Sequence, residues 1–373
     1  MKILILSWRD KKNPRAGGAE FITHQCAKYW VERDNRVTLF TSSFPNCKTN
    51  ETIDRVEIIR KGLEINVAWW AFRYYRRYFR NKFDIIVDEI NTVPFLTPLY
   101  ASEEKVAFIH QLAKEIWWYE ANFPINLLGY LSEPSFLKLY RKIPTITVSN
   151  STKSCLLDLG FKDENIFIIP ECIKHSFQEG LVDVIKEKNP TIIYVGRIKK
   201  SKRVDHCIKA FINVKKELPS AKLWIVGDGE EKYIKYLENN VLTNNLENEV
   251  NFFGRLDDFK KFEMMRKAHL ILVSSVREGW GLIVTEANSV GTPAVVYNIP
   301  GLRDSVKDKI TGLICEKNTI ENLSSNIIKL LKDDRHRERL SKNALNWSKN
   351  FICNETGRVS LEILKNLVED KIR

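Results

Sequence analysis

Short apolar runs alternate with segments of helical periodicity along this chain, and the alternation starts afresh midway. Residues 2–7 and 36–42 read as strands, and between them 19–33 sets Ile22, Cys26, Tyr29 and Trp30 at helical spacing. Strand, helix and strand in that order imply a right-handed parallel unit. Further buried strands are expected at 56–59, 83–87, 106–109, 145–148 and 166–169. A second series follows at 191–195, 222–226, 250–253, 270–273, 294–296 and 313–315, again with helical segments between. The expected class is α/β, built as two successive doubly wound, Rossmann-like units. Their boundary is expected in the polar, charge-rich stretch 171–189, which ends in Asn189-Pro190. From Thr319 on, the chain reads as helices.

A chain of 373 residues is long enough for two cores of this kind. The 44% hydrophobic content is that of a soluble globular protein, and no apolar run approaches the ~18 residues that span a bilayer. The opening apolar run stops at Trp8-Arg9-Asp10, which suits a first strand better than a secretory signal. Seven scattered cysteines without a CxxC pair argue for reduced thiols in a cytoplasm and against a structural metal site. The formal charge of +12 is spread over both halves; it is compatible with anionic substrates or an anionic membrane surface.

Between the apolar runs 270–273 and 294–297 stands Glu278-Gly279-Trp280-Gly281-Leu282-Ile283-Val284-Thr285-Glu286, continued by Ala287-Asn288-Ser289-Val290-Gly291-Thr292-Pro293. A turn and helix joining two buried strands sit at the carboxyl edge of a parallel sheet, where open α/β folds bind ligands. The glycines beside Glu278 let backbone approach a ligand, and the helix start offers free N–H groups and a positive dipole end to a phosphate. Counted on a continuous helix, Glu278 and Glu286 share nearly one face, at most ~12 Å apart along the axis. Two such carboxylates could hold hydroxyls at both ends of a sugar nucleotide. The plain alternative is one capping and one solvated glutamate.

The whole string resembles the ExxxxxxxE signature of the family 4 retaining GT-B glycosyltransferases, with its EGWG opening and EAxxxGxP continuation. The resemblance implies two Rossmann-like domains facing across a cleft. Residues 1–172 would be the acceptor side, 173–350 would bind the nucleotide sugar, and 351–373 would be a C-terminal helix packing back on the first domain. It implies that Glu278 meets the transferred sugar and Glu286 the ribose, with Gly279, Trp280, Gly281 and Leu282 at the donor. In Tyr194-Val195-Gly196-Arg197-Ile198-Lys199-Lys200-Ser201-Lys202-Arg203, the GR and the later K resemble the family's GRxxxxK pattern. Gly196, Arg197 and Lys202 would then cradle the donor diphosphate, with Lys199, Lys200 and Arg203 as alternatives in the same loop. Val226-Gly227-Asp228-Gly229 resembles the family's GxG turn, and Phe253-Gly254-Arg255-Leu256 the segment facing the base; both are also ordinary strand-ending turns.

In the first half, Gly17-Gly18 before a helix is a tight turn by itself, and by resemblance a loop beside the diphosphate and the acceptor. Glu20 reads as a first-turn dipole residue. His110 ends a strand and, by resemblance, positions the transferred sugar. Asp88 and Glu89 also end a strand, with side chains pointing apart. Glu115-Ile116-Trp117-Trp118-Tyr119-Glu120 is aromatic enough to line a sugar or lipid site, although core packing explains it equally. In the stretch from Trp69 to Arg80, helical phase collects Arg73, Arg76, Arg77 and Arg80 on one side and spreads Trp70 and the other aromatics over the rest. Trp69, Trp70 and the four arginines are thus candidates for membrane or acceptor contact; a helix packed on the sheet with a solvated arginine edge is the alternative. One departure stands out: family members often have Asn-Gly where this chain has Pro170-Glu171-Cys172-Ile173.

The expected function is transfer, with retention, of a hexose-type sugar from a UDP- or GDP-linked donor to a hydroxyl acceptor, such as a lipid-linked saccharide in polysaccharide biosynthesis. Glu278, His110, Arg197 and Lys202 would carry it, with neither a metal nor another cofactor, since no DxD motif or ligand cluster stands out. The location expected is the cytoplasm, peripheral on a membrane, with no nucleic-acid partner. A sugar-nucleotide epimerase and a nonenzymatic nucleotide-binding module are the rival readings.

Overall fold

The structure is a computed structural model that describes residues 1–173 and 184–370; of the stretch expected to hold the boundary, 174–183 lies outside the described residues. In chain order the helices are α1 (Gly18–Val31), α2 (Val67–Tyr74), α3 (Ile116–Glu120), α4 (Ile125–Lys138), α5 (Asn150–Asp158), α6 (Val204–Glu217), α7 (Glu231–Thr243), α8 (Asp258–Lys267), α9 (Leu282–Ser289), α10 (Leu302–Ser305), α11 (Ile320–Lys332), α12 (Asp334–Ser348) and α13 (Cys353–Asp370). None is long and apolar enough to cross a membrane.

One unit gathers Met1–Lys114, Pro124–Cys172 and the chain from Phe351. Its strands are β1 (Lys2–Leu6), β2 (Arg36–Thr41), β3 (Asn50–Ile53), β4 (Val56–Arg60), β5 (Ile85–Ile90), β6 (Glu104–Ile109), β7 (Thr145–Thr147) and β8 (Ile166–Ile168). They lie in the order β3-β4-β2-β1-β5-β6-β7-β8, and only the β3–β4 pair is antiparallel. Ile3 to Leu6 and Ile85 to Val87 are buried on both faces, which is why they read as unbroken apolar runs. The edge strand β3 was missed for the opposite reason: its residues Asn50, Glu51 and Thr52 are polar. It is held to β4 by a two-residue turn, Asp54-Arg55, with both φ values positive, the geometry that matches strand twist.

The helical stretch around Trp69 to Arg80 packs on this sheet. Helix α2 runs into a single π-helical turn, Tyr75–Phe79, and Tyr75 and Phe79 join Leu4, Leu6, Phe40 and Ile86 in the core. Arg73, Arg76, Arg77 and Arg80 are exposed, as are Trp69 and Tyr78, while Trp70 is half-buried. Helix α13 packs on α1, where Trp30 Nε1 donates to Ser360 Oγ at 3.0 Å and Gly357 faces Tyr29. Cys172 and Cys353 form a disulfide, which departs from the expected reduced thiols at those two positions; the other five cysteines form none. Cysteines 181 residues apart give no sequence signal that the end of β8 and the start of α13 meet.

The other unit gathers Glu115–Phe123 and Ile173–Asn350, so α3 groups with the second series of strands. These are β9 (Thr191–Val195), β10 (Lys222–Val226), β11 (Val250–Phe252), β12 (Leu270–Val273), β13 (Ala294–Val296) and β14 (Gly312–Ile314), all parallel, in the order β11-β10-β9-β12-β13-β14. That is the doubly wound order, with its reversal between β9 and β12.

Candidate active site

Loops leaving the two strands at such a reversal stand side by side and form a ligand crevice. The loop after β9 carries Gly196, Arg197 and Lys202, and the loop after β12 carries Glu278 to Gly281. Ser274 Oγ donates to the carbonyls of Lys202 and Arg203 at 3.1 and 2.8 Å, and Val276 N to that of Ser201 at 2.8 Å, which stitches the loops together. Lys202 Nζ thereby reaches Glu278 Oε1 at 2.6 Å, an oxygen that also accepts from Ser275 Oγ at 2.6 Å. The pair is neither sealed nor fully solvated, with side-chain exposures of 24% and 15%.

Glu278 is not on the helix. Gly281 has φ +93°, and α9 starts after it, so the expected common helical face for Glu278 and Glu286 does not form. A Cβ on Gly281 would come within 2.6 Å of Leu302 Cδ2, so this turn needs glycine. Glu286 is oriented separately, accepting from Lys261 of α8 at 2.8 Å. Burial pulls the Lys261 ammonium down, but Glu286 and Asp258 outweigh it and hold its pKa above the ordinary value. Lys261 escaped sequence reading because a lysine in Asp258-Phe259-Lys260-Lys261 looks like a solvated helix face.

The turns after β9, β10 and β11 form one backbone seam. A Cβ on Gly227 would sit 1.8 Å from the Gly196 carbonyl oxygen, so the two turns touch main chain to main chain. Gly196 N donates to the Val226 carbonyl at 3.0 Å and Gly227 N to the Gly254 carbonyl at 2.8 Å. The Arg197 side chain is exposed on this rim, and its carbonyl accepts from the Tyr194 hydroxyl at 2.9 Å. Helix α3 engages two of the alternative cations: Lys199 Nζ meets Glu120 at 2.6 Å and Arg203 meets the Tyr119 hydroxyl at 2.7 Å. Burial raises the Glu120 pKa, but hydrogen bonds from Lys199 and Ser201 outweigh it and leave the carboxyl below its usual range. Arg277 is tied to Glu115 at 2.8 Å, so the Glu115 to Glu120 segment acts here as a brace.

In the first unit the corresponding reversal lies between β1 and β5. Gly17 and Gly18 close the loop after β1, and Glu20 organises it, accepting from Gly17 N at 2.7 Å and from Arg9 Nε at 2.9 Å. The base of the loop is held by Asp10, fully buried against Arg60 through contacts of 2.7 and 3.0 Å. His110 follows β6, with its ring against Phe108 and Nε2 3.4 Å from Glu89 Oε1. Among the described residues, neither carboxylate oxygen of Glu89 has a hydrogen-bond partner, nor has Glu171 Oε2. Burial pushes the Glu171 pKa up to about 7, against a smaller opposing pull from His110. Asp88 turns the other way, toward Thr97 and the Tyr140 hydroxyl. In sequence Glu171 stands out only as part of the departure at 170–173, and only the fold brings it near His110.

Two family models match: "Glycosyltransferase Family 4" over residues 16–177 and "Glycosyl transferases group 1" over 182–347. An uncharacterized glycosyltransferase of Methanocaldococcus jannaschii is 30% identical over 254 residues, 61% of this chain and 69% of that protein. The poly(glycerol-phosphate) alpha-glucosyltransferase of Bacillus subtilis is 34% identical over 193 residues, 51% of this chain but only 28% of that protein. Among solved structures, Anabaena HepE in complex with UDP-glucose matches with a TM-score of 0.77 at 19% identity, covering 98% of this chain and 100% of that one. The chain belongs to the family 4 glycosyltransferases and has their GT-B fold.

Proposed function

We propose that this protein transfers a hexose-type sugar, with retention, from a UDP- or GDP-linked donor to a hydroxyl acceptor, without a metal. The observation that carries this reading is the 2.6 Å pair of Lys202 and Glu278 beside the start of α9. Breaking the donor's glycosidic bond puts negative charge on the departing diphosphate and positive charge on the sugar ring. Arg197, Lys202 and the N–H groups opening α9 stabilise the diphosphate, and Glu278 and His110 hold the sugar. Glu286 takes the ribose hydroxyls, steadied by Lys261. Gly196, Gly254, Gly279, Trp280 and Leu282 complete the donor side, with Gly17 and Gly18 beside diphosphate and acceptor. The leaving phosphate oxygen takes the acceptor's proton as the new glycosidic bond forms, so no separate base is required. The alpha-glucosyl product in the Bacillus relative's name and the UDP-glucose bound by the Anabaena protein support a retained, UDP-linked hexose. The acceptor is a saccharide or a lipid-linked one, and the exposed arginines of the Trp69 to Arg80 stretch support a contact with it or with an anionic surface.

Thermal stability against UDP, GDP, ADP, their sugar conjugates and NAD tests the donor site. A ligand at a hundred times its dissociation constant adds about 2.7 kcal/mol. A shift with one nucleotide diphosphate supports the reading, and no shift with any sinks it. Conversion of a sugar nucleotide with no acceptor present would favour the epimerase instead.

A further inference from the structure

Helix α4 is apolar on both of its sides. Its inward side buries Leu137 among Ile90, Ile109, Leu112 and Tyr140, and Glu133 accepts the N–H groups of Ala113 and Lys114 at 2.6 and 2.7 Å. Its outward side exposes Ile125 at 62%, Leu128 at 61% and Leu131 at 61%, with Tyr130 and Leu139 also exposed. A helix apolar all round is normally covered all round. Here the charge pattern says what the cover is. From 121 to 142 the only acidic residue is Glu133, and it is turned inward and engaged, whereas Lys138 and Lys142 are exposed at the helix's far end and just beyond it. Within 121–142 the outward face therefore offers apolar side chains and ammonium groups and no carboxylate of its own.

We propose that this face of α4 docks on a lipid surface bearing anionic headgroups, with Ile125, Leu128 and Leu131 below the phosphates and Lys138 and Lys142 among them. The inference extends the lipid-linked acceptor of the proposed function, and it does not depend on which donor is used.

Cosedimentation of the full chain with vesicles of phosphatidylcholine, with and without phosphatidylglycerol, tests it. The wild-type protein should pellet with the anionic vesicles. An Ile125→Ser/Leu128→Ser/Leu131→Ser variant should partition about tenfold more weakly or worse. A Lys138→Glu/Lys142→Glu variant should bind less and lose its salt dependence. Both should keep the wild-type nucleotide-induced thermal shift, which reads the donor site separately, so failure of one reading does not touch the other. Wild-type protein that ignores anionic vesicles, or a triple variant that binds as wild type, overturns the proposal. So does a triple variant whose only change is from oligomer to monomer in light scattering, which would make α4 a contact between copies. Loss of binding confined to an Arg73→Glu/Arg76→Glu/Arg77→Glu/Arg80→Glu variant would move the docking face to that stretch.

Discussion

Lys202 and Glu278, 76 residues apart in sequence, meet at 2.6 Å because the strands that precede them, β9 and β12, are neighbours at the reversal of the sheet. Each group limits where the other can point, and the site presents cation and carboxylate as one preset unit. Lys202→Ala and Glu278→Ala should each cost ten-fold or more in turnover, about 1.4 kcal/mol or above. The double variant should lose less than the product of the two, because the residues are coupled. Steady-state rates with a saturating donor decide this; near wild-type rates in both singles would refute the assignment.

Lys261 pairs with Glu286 and with Asp258 of its own helix, so its effect should appear in binding. Lys261→Met should raise the donor KM several-fold while kcat stays within about twofold, as expected when an interaction equal in ground and transition states is lost. A fall in kcat with KM unchanged would mean that Lys261 acts on the reacting centre.

Glu171 makes stability depend on pH. It ionises near 4.5 when unfolded and at about 7 in the fold, because burial penalises the charged form. Between those values the unfolded state has given up the proton and the native state still holds it, so stability falls as pH rises through the interval and stays low above it. Glu171→Gln removes the titration. Thermal denaturation should show the variant more stable than wild type above pH 7, on the order of 1–3 kcal/mol, with the two converging as pH falls toward 4.5. The groups nearby that also carry charge or titrate are His110, Glu89 and Cys26.

The Asp10–Arg60 pair is fully buried, and removing Asp10 leaves the guanidinium with Glu51, at 2.8 Å, as its remaining carboxylate. Asp10→Ala should therefore cost about 1–3 kcal/mol in denaturant unfolding, less than a wholly unpaired buried charge, and Asp10→Leu/Arg60→Met should recover part of it. Equal losses in the two variants would show that packing, not the half-paired charge, sets the cost.

The parallel strands were legible because burial on both faces leaves a continuous apolar run, seen at Ile3 to Leu6 and Leu270 to Val273. Polar β3 left no such mark. The strings around Glu278 and Lys202 were legible as motifs, but their mutual contact was not, since sheet order is a long-range property. Helical phase misplaced Glu278, because one left-handed glycine delays the helix by four residues. Lys261, Glu120 and Glu171 were hidden for a common reason: each is an ionisable residue whose surroundings come from a distant segment, and alone it gives no sign of them.

The disulfide has a bearing on how this chain can be taken apart. Strand β8 ends just before Cys172, α13 begins at Cys353, and the two Cα atoms are 4.7 Å apart. In the first unit's own frame, the whole of the second sheet is therefore an insertion whose two ends leave from adjacent points, and only α3 of its unit lies outside it. A cut there and a short splice would leave the first unit's backbone nearly continuous, and would part the excised sheet from the α3 contacts that brace its Lys199 and Arg203.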